Sequence, residues 1–207
     1  MSRLKALALL SGGLDSLLAI KLVQAEGVEI EGICFTSPFF GAERAEKGSR
    51  YLGISLHRQQ IGQELISLLR SPPHGFGKGA NPCIDCHILM IKKAGDLMRR
   101  RELDFLISGE VLGQRPKSQS RWALELISRK SEWGDLLLRP LTAKNLSPTL
   151  AERKGWVRRE KLWGIKGRSR LSQLELASKF GLKDFPAPSG GCLLTDPIFS
   201  RRMKDLL

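Results

Sequence analysis

The sequence predicts an α/β fold, an open parallel five-stranded sheet with helices on both faces, followed by a small basic C-terminal extension. Three observations predict it. Short apolar, β-branched runs alternate with stretches of helical periodicity between Lys5 and Arg139, the signature of parallel βαβ units. A Gly-rich turn joins the first strand to the first helix, where such sheets bind ligands. Hydrophobic residues make up 42% of the 207, enough for a core and too many for a disordered chain.

Taken in order, Lys5–Leu10 is an apolar strand and Leu14–Gln24 has helical spacing. Val28–Phe35 is a β-branched strand entered from Gly27. Ala42–Leu52 reads as a helix, Ile54–His57 as a short strand and Gln63–Leu69 as a helix. The stretch Ser71–Pro82, with three prolines and three glycines, can be neither helix nor central strand. It is a long loop, and such loops in compact domains usually serve function. Cys86–Arg101 returns to helix, Asp104–Ser108 is a buried strand, and Leu136–Arg139 is the last strand. Ser147 and Ser172 are the expected N-caps of two later helices. Gly155–Arg170 is glycine-punctuated and expected to be mobile. Pro197–Leu207 reads as a final helix without a C-cap signal, as in a truncated chain. The expected division is a nucleotide-binding domain over 1–140 and the extension over 141–207, which carries the third of the cysteines discussed below.

The charge is lopsided. Lys and Arg total 34 against 21 Asp and Glu, a net of +13. Between Val111 and Arg170, 15 basic and 5 acidic residues give a net of +10, most of the excess. Such a stripe attracts phosphate backbones; the plainer alternative is a solvated basic surface. No apolar run approaches the roughly 20 residues that cross a bilayer, so no membrane partner is expected. Ala6–Leu10 followed by Gly-Gly-Leu-Asp is a strand and a turn, not a leader peptide, and the expected location is cytoplasmic. Four cysteines in such a chain point to metal or redox chemistry before disulfides.

The turn after the first strand reads Ser11-Gly12-Gly13-Leu14-Asp15-Ser16. Gly12 and Gly13 let backbone N–H groups approach anionic oxygens, Ser11 and Ser16 offer hydroxyls, and Asp15 is placed to hold Mg²⁺. A helix N-terminus behind the turn favours negative charge. No lysine follows, so this is not a Walker loop. The hexapeptide resembles the PP-loop ATP pyrophosphatases, whose signature is SGGxDS. The resemblance covers Leu4 to about Arg139. It implies ATP as cofactor, transfer of AMP to a carbonyl oxygen with release of pyrophosphate, and displacement of AMP by sulfur or nitrogen. Phe35, at the end of the second strand, is counted among the nucleotide-binding residues.

Cys83 and Cys86 form a C-x-x-C where the long loop enters a helix, and Cys192 follows Pro188-Ser189-Gly190-Gly191. Cys34, inside a strand, is expected to be a buried small hydrophobe. Three readings of the other cysteines stand side by side. Three thiolates could hold a [4Fe–4S] cluster with one iron left open. Cys86 and Cys192 could be a catalytic pair, one carrying a persulfide. A zinc ion could take His87 as a further ligand. His57 and His74 are given no role.

The run Asn81-Pro82-Cys83-Ile84-Asp85-Cys86-His87, with Ile91-Lys92-Lys93 after it, resembles the motif of tRNA thiolation enzymes, the 2-thiouridylases and 4-thiouridine synthetases. Cys86 falls on the cysteine that follows Asn-Pro in the thiouridylases. Cys83 stands where the cluster-free thiouridylases carry Asp. A C-x-x-C with one distant cysteine resembles the iron–sulfur-dependent branch instead, which implies Cys83, Cys86 and Cys192 as cluster ligands. The thiouridylases place Thr-Gly-His after the strand corresponding to Phe105–Ser108; here the residues are Ser108-Gly109-Glu110. Gly109 permits close approach, while Gln114, Arg115, Lys117, Ser118 and Gln119 supply donors and positive charge for phosphates.

The resulting expectation is ATP-dependent sulfur transfer to a tRNA uridine. Asp15, Cys86 and Cys192 are the catalytic candidates. Lys117, Arg158, Arg159 and Lys161 are the candidate nucleic-acid contacts, with Trp156 and Trp163 able either to stack on bases or to pack a subdomain. A sulfur donor, sulfide or a persulfide carrier, is implied, and a homodimer or a separate tRNA-binding partner is allowed for. Two alternatives remain: the same loop acting on a small molecule, and a non-catalytic basic RNA-binding module.

Overall fold

Side-chain alternation along β1 (Lys5–Leu9) sets the layers of the molecule. Ala6 and Ala8 point into one core cluster, and Leu7 into another, as the two-residue period of a strand requires. The computed structural model describes residues 4–183, 185 and 192–206. Five strands form one all-parallel sheet: β1, β2 (Glu29–Thr36), β3 (Leu56–Gln60), β4 (Phe105–Ile107) and β5 (Leu137–Leu138). Their order is β3-β2-β1-β4-β5. The chain therefore winds outward from β1 to β3, then returns to the other side of β1. That reversal opens a crevice between the carboxyl ends of β1 and β4, the place where doubly wound sheets take ligands.

Helix α1 (Leu14–Gln24) and α2 (Glu43–Leu52) cover one face. Helix α4 (Cys83–Arg100) and α5 (Arg121–Ser131) cover the other. Between them in the chain, α3 (Gly62–Arg70) packs Leu65 and Leu69 with Phe39, Cys86 and Leu194 in a third, smaller cluster. Sequence reasoning misses α5, although its signals are local. The Ser120 hydroxyl caps it by accepting the Ala123 N–H at 3.2 Å, and Ala123, Leu124, Leu126 and Ile127 form its buried stripe.

The C-terminal extension completes the first core. Leu141, Ala151, Val157, Leu162, Ile165 and Leu176 are buried in the same cluster as β1 and α1. Gly155–Arg170 is accordingly packed, with the Lys166 backbone bridging Leu112, and the expectation of a mobile segment is corrected. The ring of Trp156 stacks on Phe105 with centroids 6.2 Å apart, and Trp163 packs partly buried against the same cluster; both rings serve the core. Two cap assignments shift by two residues. Thr149, not Ser147, caps α6 (Leu150–Arg153), with Glu152 accepting the Thr149 N–H at 2.8 Å. Arg170, not Ser172, precedes α7 (Leu171–Lys179). Helix α8 (Pro197–Leu206) closes the described chain, and no helix among the described residues is long and apolar enough to cross a membrane.

Candidate active site

The phosphate loop lies where the sequence places it, between β1 and α1. Leu10 N–H donates to Ile33 at 2.8 Å, extending the sheet to the edge of the turn. Gly12 then adopts φ +73°, and a Cβ there would collide with the backbone of Arg44, so only glycine fits. Gly13 is the N-cap of α1 and no side chain caps the helix. Its first N–H groups and the positive end of its dipole therefore face the crevice, with Asp15 as the acidic side chain of the first turn. The Ser16 hydroxyl donates to Gly13 O at 2.7 Å and holds the turn in shape.

Across the crevice, Gly109 follows β4 and presses on the first turn of α1. A Cβ at Gly109 would lie 2.6 Å from Ser16 N and 2.7 Å from Asp15 O. From this contact the chain continues into the loop that carries Gln114. Its Nε2 donates to Asp15 Oδ2 at 2.6 Å, while its Oε1 accepts from Gln173 Nε2 on α7 at 2.8 Å. Asp15 Oδ1 is buried and has no hydrogen-bond partner; a guanidinium nitrogen of Arg170 stands 3.8 Å away. An orphaned carboxylate oxygen beside an uncapped helix terminus is the donor a hard divalent cation takes, so Asp15 fits Mg²⁺. Arg170 and Gln173 are the residues sequence reasoning misses, because nothing within α7 marks them as facing a loop so distant in the chain. Phe35, at the carboxyl end of β2, is only 7% exposed and packs with Leu7 and Ile33.

Arg115, next to Gln114, lies within electrostatic reach of two of the cysteines, Cys83 and Cys192. Cys83 and Cys86 open α4, and Cys192 comes from the far end of the chain. A latch brings it there. Leu193 N–H donates to Phe39 O at 3.1 Å, Ala80 N–H donates to Leu194 O at 3.1 Å, and the Ser200 hydroxyl of α8 donates to Leu194 O at 2.7 Å. Cys86 and Cys192 share the apolar cluster of Phe39, Leu65 and Leu194. Pro188–Gly191, which precedes Cys192, lies outside the described residues.

All three thiols feel one another. Burial, then Cys192, Cys83 and Asp85 in that order, push Cys86 up to about 12. Burial likewise raises Cys83 and Cys192, with Arg115 acting in the opposite sense on both. In the metal-free protein, desolvation therefore outweighs the pull of the helix dipole toward thiolate. Burial favours the thiol form of all three, and a nearby cation would favour the thiolate. Three soft sulfurs are the donor type that iron–sulfur clusters use. Among the described residues no group of three or more His, Cys, Asp or Glu converges on a position for a single ion. His87, the suggested zinc ligand, is engaged elsewhere. Its Nδ1 lies 2.7 Å from Glu110 Oε1. Cys34 is 3% exposed in the first core cluster, as expected of a small hydrophobe.

Glu110 is a second finding beyond the sequence. It is buried, receives Arg139 Nε at 2.8 Å and the Ser108 hydroxyl at 3.1 Å, and faces His87. Burial is the largest single influence and would raise it, yet Arg139 and His87 together hold its carboxyl below the usual range. His74 is similarly tied: its Nδ1 lies 2.6 Å from Asp85, between the two cysteines, which pins the long loop to α4.

The basic stripe divides in two. Arg115, Lys117 and Lys161 are exposed. Arg158 forks onto Glu26 at 2.7 and 3.0 Å. Arg159 pairs with Glu152 and donates to the carbonyls of Ala143 and Leu146 at 3.0 and 2.9 Å. Arg159 is thereby a brace of the fold, and its assignment to nucleic acid is not supported by its surroundings.

Residues 2–147 match the family model described as thiamine biosynthesis protein (ThiI). Among curated proteins, the chain is 30% identical over 148 residues to a probable tRNA sulfurtransferase of Geobacillus kaustophilus, covering 67% of this chain and 35% of that protein. It is 29% identical over 120 residues to a tRNA-specific 2-thiouridylase of Sulfurimonas denitrificans, covering 52% of this chain and 35% of that protein. The chain thus spans about a third of the length of these relatives. Among solved structures, a 4-thiouridine synthetase in complex with RNA and ATP superposes with a TM-score of 0.54 at 21% identity, over 97% of this chain and 50% of that one. A predicted subunit of a tRNA methyltransferase from Methanocaldococcus jannaschii gives 0.53 at 14% identity, over 85% and 76%. At these identities the superpositions speak for the shared fold.

Proposed function

Because the chain belongs to the ThiI family, we propose that it is an ATP-dependent tRNA sulfurtransferase that thiolates a uridine through an adenylated base. The observation that carries this reading is the loop after β4. Gln114 in it bonds to Asp15 of the phosphate loop, and the neighbouring Arg115 acts on Cys83 and Cys192. One short segment thus adjoins both a nucleotide-binding turn and a group of thiols, the two halves that such a reaction needs side by side.

In the proposed sequence a uridine carbonyl oxygen, O4 or O2, attacks the α-phosphorus of ATP. The bond from that phosphorus to the bridging oxygen breaks and pyrophosphate leaves with the electron pair. A sulfur nucleophile then adds to the activated carbon, and AMP departs with the oxygen, leaving a thiocarbonyl. The N–H groups at the start of α1 stabilise charge on the departing pyrophosphate, and the Ser11 and Ser16 hydroxyls, bonded to each other and to Gly13 O, hold the turn in shape. Asp15 Oδ1 would hold Mg²⁺, which supplies further neutralisation of the phosphates. Cys83, Cys86 and Cys192 would hold a [4Fe–4S] cluster, whose fourth iron supplies a binding site for exogenous sulfide. The side chain of Arg115 keeps an anionic sulfur and the nucleotide phosphates close together.

The test is thiolation of tRNA by anaerobically reconstituted protein, followed by mass spectrometry of the nucleosides. The wild type should incorporate one sulfur per modified uridine with release of AMP and pyrophosphate, and should hold about four irons per chain. Replacing any one of Cys83, Cys86 and Cys192 by Ala should remove thiolation and lower the iron content, while Cys34→Ala should do neither. If the triple variant still thiolates tRNA, the proposed role of the cysteines is wrong.

A further inference from the structure

Helix α7 brings two polar side chains to the phosphate loop from more than 150 residues away. Gln173 is 0% exposed. Its Nε2 donates to Gln114 Oε1, whose own Nε2 donates to Asp15 Oδ2, so the polarity of the chain of amides is fixed by the carboxylate at its end. Gln173 Oε1 has no partner. Arg170 points one guanidinium nitrogen at Asp15 Oδ1 from 3.8 Å, beyond hydrogen-bond range, and its buried Nε also has no partner. Three polar atoms around the phosphate loop, Asp15 Oδ1, Arg170 Nε and Gln173 Oε1, are therefore both buried and unsatisfied. Buried polar groups are seldom left so in a native fold unless something else completes them.

The chemistry of the three atoms says what completes them. The carboxylate oxygen calls for a cation and the guanidinium for an anion, and an uncapped helix terminus lies beside both. A metal-bound polyphosphate supplies both charges at once. The terminal phosphates carry most of the charge of a nucleoside triphosphate, and a planar guanidinium with a free Nε can engage two of their oxygens. Resting on the nucleotide site proposed above, we propose that Arg170, seated by Gln173, is a ligand of the terminal phosphates of ATP, the part that leaves as pyrophosphate. Before nucleotide binds, the guanidinium stands beside Asp15 and offsets its charge. With a metal–triphosphate bound, Asp15 Oδ1 would hold the cation and the Arg170 guanidinium would engage the phosphate oxygens. This makes the C-terminal segment part of the ATP site and explains why α7 is packed on α1.

The test compares nucleotides that differ only in those phosphates. Calorimetric binding of Mg-ATP, pyrophosphate and AMP is measured for the wild type, Arg170→Ala, Arg170→Lys and Asp15→Asn. Arg170→Ala should weaken Mg-ATP and pyrophosphate on the order of tenfold to a hundredfold, the range for a lost charge-assisted contact, and leave AMP unchanged. Retained AMP binding shows that the variant folds. Arg170→Lys should fall between the two, keeping the charge without the fork. Wild-type affinity of Arg170→Ala for Mg-ATP, beside a weakened Asp15→Asn, overturns this inference alone. Equal loss of AMP and ATP by Arg170→Ala also overturns it, since the contact is then not with the terminal phosphates. Full Mg-ATP affinity in both Asp15→Asn and Arg170→Ala would instead move the nucleotide site away from the loop.

Discussion

The hydroxyl of Ser200 donates to the carbonyl of Leu194 at 2.7 Å while accepting the Ala80 N–H at 3.2 Å. This buried junction ties α8 to the long loop and fixes the chain two residues beyond Cys192. Ser200→Ala removes one buried hydrogen bond, worth about 1 kcal/mol. The Cys192 segment should then open roughly fivefold more often. Alkylation of Cys192 in metal-free protein, followed by mass spectrometry, should accelerate by that factor, with that of Cys34 unchanged. An unaltered rate at Cys192 would mean that the latch does not hold it.

Gly109 lies against the first turn of α1 with no room for a side chain. Gly109→Ala must push the post-β4 loop away from Asp15 and Ser16, or distort the turn that binds phosphate. Pyrophosphate release should fall by at least tenfold, and the melting temperature should drop as a buried contact is strained. Wild-type turnover by this variant would show that the crevice between β1 and β4 is not the nucleotide site.

Glu110 is ionised and surrounded by Arg139, His87 and Ser108. Glu110→Gln leaves the Arg139 charge buried without its counter-ion, a change that typically costs about 3–5 kcal/mol. The pH dependence follows in sign from the lowered carboxyl. Its contribution is present above the pKa of an unfolded glutamate, near 4.3, and is lost as pH falls from there toward the folded value. Denaturant titrations at pH 7 and pH 4 should show the wild type losing more stability on acidification than the variant. Equal losses would mean that Glu110 does not carry this acid sensitivity.

Lys117 and Lys161 are exposed, whereas Arg159 holds the fold. Charge reversal at the two lysines should therefore weaken tRNA binding and lower its salt dependence, while Mg-ATP affinity stays the same. Each duplex phosphate no longer neutralised removes about 0.9 from the slope of log affinity against log salt. Binding that ignores both the reversal and the salt would place the RNA on another surface. Arg159→Glu is expected to destabilise the protein instead, measurable as a lower melting temperature without any RNA present.

What the sequence by itself determined is whatever lies in contiguous residues. The hexapeptide Ser11–Ser16, the C-x-x-C and the βα alternation all declare themselves within a turn or two of chain, because local geometry and periodicity are set by near neighbours. The Ser120 cap and apolar stripe of α5 are equally local signals, though the sequence reading passes over them. The tertiary structure alone decided which distant residues meet. Arg170 and Gln173 reach Asp15 because α7 packs on α1, and Glu110 meets Arg139 and His87 because β4 pairs with β5 and packs against α4. Trp156 and Arg159, basic-stripe residues by composition, became core and brace once burial gave them partners. The Cys86 thiol shows the same division: its place at a helix start is a local property, but its protonation is governed by desolvation and by Cys192, which only the folded chain brings near.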